Sequence, residues 1–134
     1  MSIVFPATTA LYGALFGLLF LGLSLWVVMG RAKGGVHHGD GGQEMLNRRI
    51  RAHANFAEYV PLILLLAALV EAGGAAPRTM HMLLAPLLLA RLCHPYGMIA
   101  PLESRQQFVF RGLSVIVTWA VLLANCVLLL LRVW

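Results

Sequence analysis

Arg51, Asn55 and Glu58 are the residues in this chain whose types and spacing could do chemistry. At about 100° per residue on a helix they fall within about 60° of one another, and Arg48 and Tyr59 border the same face. A cation, an amide and a carboxylate along two turns can bind a zwitterion carrying ammonium and carboxylate groups. They can equally neutralise one another in an Arg51···Glu58 network that holds helices together and binds nothing, and spacing alone leaves both open. More polar residues, Arg91, His94, Tyr96, Arg105 and Arg111, interrupt the apolar stretches further along.

The elements that must position these residues are membrane helices. Of 134 residues, 60% are hydrophobic and 11% charged, against roughly 45–50% and about 25% in soluble domains. This composition excludes a soluble enzyme, a disordered tail and a disulfide-built module. A span needs about 20 residues, so the chain, 1–134, holds one domain of four spans with short loops. The expected fold class is all-α, an integral membrane four-helix bundle. The net charge of +5 comes from basic residues flanking apolar stretches, which fits membrane orientation and argues against nucleic acid as a partner. Cys93 and Cys126 lie in separate apolar segments without CxxC spacing and read as small buried hydrophobes.

The first span is expected over Ile3–Met29, retained and not cleaved as a signal peptide, since no basic residue precedes it. Its Gly13 and Gly17 form a GxxxG that would let another helix approach. A glycine-rich polar loop, Arg31 to Gly42, ends it. His37 and His38 in that loop read as solvated, with no metal site expected. The second helix is expected from Gln43 or Glu44 to Ala72, broken by Gly73-Gly74, with a bend at Pro61. The third runs from Pro77 to His94, where Pro95 and Gly97 interrupt it. The fourth runs from Arg105 to Val133. His81, near the far end of helix three, reads as an interface residue, Trp26, Trp119 and Trp134 as interface anchors or lipid-facing bulk, and Arg132 as a terminal anchor.

Eight basic residues, Arg31, Lys33, Arg48, Arg49, Arg51, Arg91, Arg105 and Arg111, cluster at the first and third connections, against Arg78 and Arg132 at the other side. The positive-inside rule then puts both termini outside and those two loops in the cytoplasm. An ionisable residue in hydrocarbon is costly unless paired or facing a cavity. The Arg51–Glu58 stripe, Arg91, His94, Tyr96, Arg105 and Arg111 fall at similar depth in one leaflet, and convergent arginines there suit an anionic ligand reached from the cytoplasm.

The stretch Arg51-Ala-His-Ala-Asn55-Phe-Ala-Glu58-Tyr59-Val-Pro61 resembles the helix-two signature of the MAPEG family, the membrane-associated proteins in eicosanoid and glutathione metabolism. Length, span number and motif position agree over essentially the whole chain. The resemblance implies a homotrimer of four-helix subunits, with glutathione as bound co-substrate between neighbours near the cytoplasmic face. By the same resemblance Arg51, Asn55, Glu58 and Tyr59 hold the peptide part of glutathione and His53 supplies a further polar contact. Arg31 contacts a carboxylate, Arg91 and His94 match polar positions at the end of helix three, and Arg111 is the catalytic arginine that stabilises the thiolate. Members acting on eicosanoids usually carry a helix-three tyrosine where this chain has Met98, and the prostaglandin-forming member has a serine where Gly112 stands. Eicosanoid synthesis is therefore not expected. Composition and short loops are more similar to a bacterial member in an inner membrane.

The favoured reading is a glutathione-dependent transferase or peroxidase acting on an apolar electrophile delivered through lipid. Two alternatives stay open. One is a glutathione-binding membrane subunit without turnover, which would use the same residues. The other is a small proton-coupled multidrug transporter, although such proteins usually carry a lone Glu in the first helix, whereas here the first helix is uncharged and Glu58 has Arg51 beside it.

Overall fold

The computed structural model describes residues 5–133, and these form four helices long and apolar enough to cross a membrane. Ile3, where the first span was expected to begin, and Trp134 lie outside the described residues. The helices are α1, Ala7–Gly34; α2, Glu44–Ala72; α3, Pro77–Ile99; and α4, Leu113–Val133, which a π-helical turn, Gln107–Gly112, leads into. Helices α1 and α4 each pack on both α2 and α3 and do not meet each other. The all-helical expectation holds.

The expected fourth helix is π-helical over Gln107–Gly112 before α4 proper, and two helix C-termini differ from those expected, each for a physical reason. Helix α1 does not stop at Met29 but continues through Arg31 and Lys33 to Gly34. Basic side chains in a last turn complement the negative end of the helix dipole, so they extend a helix where a loop was expected. Gly35, at φ 65°, is the first residue to turn left-handed and end it, a conformation open to glycine at little cost. Helix α3 likewise passes through Pro95 to Ile99. Its buried face repeats as Met80, Leu84, Leu87, Arg91, His94 and Gly97, and this stripe keeps packing beyond the proline. A proline costs a helix one internal bond, which neighbouring helices in a membrane bundle can offset.

The core is apolar and close. Phe16, Phe56, Val60, Ile63, Ala67, Leu84 and Leu87 are all buried where α1, α2 and α3 meet. Gly13 and Gly17 do not seat a helix within the described chain. A Cβ at either would meet nothing, and they border a shallow groove of about 170 Å³ beside Phe20 and Pro61.

At the end where the chain begins, Glu71 holds α1 in place. It is only 6% exposed, and its two carboxylate oxygens accept the backbone N–H groups of Thr8 at 2.9 Å and Thr9 at 2.7 Å. The first N–H groups of a helix lack internal partners and carry its positive pole, so a carboxylate brought from the end of α2 caps them. Nearby, the Tyr12 hydroxyl and His81 Nδ1 lie 3.0 Å apart, giving His81 a partner on α1, and the Arg132 guanidinium lies against Gly73. Glu71→Gln keeps one carbonyl acceptor and loses the charge. It is expected to lower stability by about 1.5 kcal/mol, since bonds to charged groups contribute about 1.5–3 kcal/mol each. Denaturant titration in detergent micelles measures this, and unchanged stability would remove Glu71 as the α1 anchor.

Candidate functional site

The polar residues collect at the opposite end, where α1 and α3 finish and α2 and the π-helical turn begin. Helix α2 brings the stripe in as its periodicity requires, but the stripe divides between two sides. Arg51 and Glu58 stand on an exposed face with Arg51 NH1 3.7 Å from Glu58 Oε1, each side chain about half exposed. Asn55 and Tyr59 turn inward towards α3 and meet Arg91. The Arg91 NH1 donates to Asn55 Oδ1 at 2.7 Å, and the Arg91 guanidinium lies 5.8 Å from the Tyr59 ring centroid.

Arg91 is the unusual group. It is 1% exposed, yet among the described residues its Nε and NH2 have no hydrogen-bond partner. A buried guanidinium with no carboxylate is costly, and its fork geometry suits bidentate binding of a carboxylate. His94, one turn on, is buried and within electrostatic reach of both Arg91 and Arg111.

Arg111 sits in the π-helical turn and lines an outward concavity of about 510 Å³ with Glu103, Ser104, Gln107 and Phe108. Three local features set it there. Gln107 N–H donates to Ser104 Oγ at 3.1 Å and Glu103 N–H to Gln107 Oε1 at 2.9 Å, a variant of the capping box. The Ser114 hydroxyl donates to the Ala90 carbonyl at 2.7 Å and also reaches the Phe110 carbonyl, pinning the turn to α3. Gly97 has no Cβ where the backbone of Phe110 and Arg111 crosses α3. A π-helical turn inside a helix often marks a functional position.

The remaining expected residues lie apart from Arg91. His53 faces α1, with Nε2 3.0 Å from Ser24 Oγ and its ring stacked 4.7 Å from Phe20. Arg31, on the last turn of α1, donates to the Gly39 carbonyl at 3.2 Å. Arg48 donates to the Ala100 carbonyl at 2.7 Å and pairs with Glu44, closing the end of α3. Trp26 has the Arg49 guanidinium over its ring at 5.0 Å, an arrangement that suits an interface anchor. Among the described residues no group of three or more His, Cys, Asp or Glu side chains could hold a metal ion.

Sequence reasoning missed Glu71, Ser114 and the Ser104–Gln107 cap. The S-x-x-Q spacing of the last was a usable signal. Glu71 at a helix C-terminus was another, since an acid there opposes the dipole and needs a partner.

Four membrane-length helices gathering a buried cation, an amide and an exposed ion pair at one end define a membrane protein with an intrabundle polar site. The profile of the MAPEG family matches residues 9–131, and the chain belongs to that family. It is 36% identical over 115 residues to the inner membrane protein YecN of Escherichia coli K12, covering 86% of this chain and 84% of that one. The same figures hold for YecN of E. coli O6:H1, so these relatives are bacterial. No solved structure matches.

Proposed function

We propose that this protein binds glutathione and acts as a glutathione-dependent transferase or peroxidase on lipophilic electrophiles. The observation that carries the reading is Arg91, buried with two unfilled donors beside Asn55 and Tyr59. Glutathione has two carboxylates, one ammonium and one thiol, and supplies the nucleophilic sulfur. Arg91 and Arg51 fit the carboxylates, and Glu58 fits the ammonium. Arg111, whose backbone packs on α3 at Gly97, is the cation available to the sulfur. Because Arg51, Glu58 and Arg111 are all exposed on the single chain, the reading includes a homotrimer with a site at each subunit boundary. Its orientation in a bacterial inner membrane puts both termini outside and the basic loops in the cytoplasm. A proton-coupled transporter is less well supported, since Glu58 stands half exposed beside Arg51.

Calorimetric titration of the detergent-purified protein with glutathione, paired with a mass measurement of the oligomer, tests the reading. Arg91→Met sharpens it. Removing a cation that lacks a carboxylate should leave the ligand-free protein at least as stable, while glutathione affinity falls about tenfold, or about 1.4 kcal/mol. A variant that unfolds more easily and binds glutathione as before would make Arg91 structural. Binding without turnover would leave a glutathione-binding subunit.

A further inference from the structure

A groove of about 560 Å³ opens between α1 and α3 on the side of α3 away from Arg111. Its walls are apolar, with Leu19, Gly22 and Met29 on α1 and Leu92, Pro95 and Ile99 on α3. These α3 residues lie about 140° to 160° around the helix from Gly97, the residue against which the Arg111 backbone packs. The groove therefore faces away from Arg111, and none of Arg51, Asn55, Glu58, Tyr59 and Arg91 lines it.

From Leu19 to Met29 is ten residues, roughly 15 Å of rise, about half of a hydrocarbon core of about 30 Å. The groove thus spans one leaflet, the length available to a single lipid chain. Two cations, Lys33 and Arg49, stand beyond its Trp26 end, where they line a neighbouring concavity with Gly30 and Leu46. Lys33 follows Trp26 by seven residues and stands within about 40° of Trp26 and Met29 on α1. Arg49 crosses α1 between Trp26 and Gly30, its guanidinium over the Trp26 ring at 5.0 Å. Among the described residues neither Lys33 nor Arg49 has an ion-pair partner, and the buried Arg49 Nε has no hydrogen-bond partner. Arg48, beside them, is already paired with Glu44. An apolar slot one leaflet deep, capped by two uncompensated cations, complements an acyl chain joined to a negative headgroup.

We infer that the α1–α3 groove is a binding site for an anionic phospholipid, whose acyl chain lies along Gly22 and Trp26 and whose phosphate meets Arg49 and Lys33. Trp26 provides the readout. In a full-length protein with Trp119→Phe and Trp134→Phe it is the remaining tryptophan, and it is reconstituted in phosphatidylcholine vesicles. These contain an equal fraction of either chain-brominated phosphatidylglycerol or chain-brominated phosphatidylcholine. The brominated phosphatidylglycerol is expected to quench Trp26 about threefold more strongly. Lys33→Glu with Arg49→Gln should abolish that preference. Gly22→Phe should weaken quenching by both lipids, since Gly22 lines the groove and a Cβ there meets nothing, so the added ring takes up groove space. Equal quenching by the two lipids, or a preference that survives the charge substitutions, would overturn the inference. So would a Trp26 that neither lipid reaches, which would mean that a second protein chain covers the groove.

Discussion

Arg111→Ala is expected to remove most of the absorbance at about 240 nm that a bound thiolate gives, and to cut turnover by about 10- to 100-fold. A free thiol with a pKa near about 8.5 is only a few per cent ionised at neutral pH. A cation within a few ångströms lowers such a pKa by about 1–3 units. A shift of about 2 units corresponds to about 2.7 kcal/mol and brings the ionised fraction at neutral pH to roughly three quarters. In the proposed site Arg111 supplies that charge, while the residues of α2 with Arg91 hold the peptide. Affinity for glutathione should therefore change much less than turnover. Arg111→Lys, which keeps the charge but not the planar fork, should restore part of the signal. In Arg111→Ala the rate should keep rising with pH towards the free thiol's value, whereas in the wild type it levels off earlier. An undiminished thiolate signal in Arg111→Ala would remove the mechanism.

The parts of this arrangement that helical periodicity governs were legible in the sequence. Four apolar runs of spanning length give four helices, and Arg51, Asn55 and Glu58 fall within about 60° of one another on α2 because 3.6 residues make a turn. What periodicity could not show is which neighbour each side chain meets. Asn55 and Glu58 are only three residues apart, yet one turns to Arg91, 36 residues away, and the other stays with Arg51. Glu71 reads as a stray acid until α1 is placed, because its partners lie 63 and 62 residues away. Pro95 and the glycines around Arg31 and Lys33 misled for another reason. Local propensity favours ending a helix there, and tertiary packing along Arg91, His94 and Gly97, or the helix dipole at Arg31 and Lys33, overrides it. The GxxxG of α1 shows the reverse case, where a pattern suited to helix contact faces open space.

Gly97→Ala is expected to destabilise the bundle by about 3 kcal/mol or more, the upper end for overpacking. A methyl at Gly97 would run into the Arg111 backbone nitrogen and lie 2.8 Å from the Phe110 carbonyl carbon and 2.9 Å from Arg111 Cα. These are backbone atoms, so no rotamer change relieves the contact. The π-helical turn must lift away from α3, and the Ser114 bond to the Ala90 carbonyl lies on the same seam. Gly22→Ala is the matched control, because its Cβ meets nothing and alanine is favoured over glycine in a helix by about 1 kcal/mol. Thermal unfolding of both variants in the same detergent should separate them, with Gly97→Ala lower than wild type and Gly22→Ala equal or higher. Since the atoms displaced belong to Arg111 itself, the Gly97→Ala protein that remains folded should lose thiolate absorbance more than glutathione affinity. If it melts with the wild type and keeps its thiolate signal, the close crossing of α3 and the π-helical turn is not what positions Arg111.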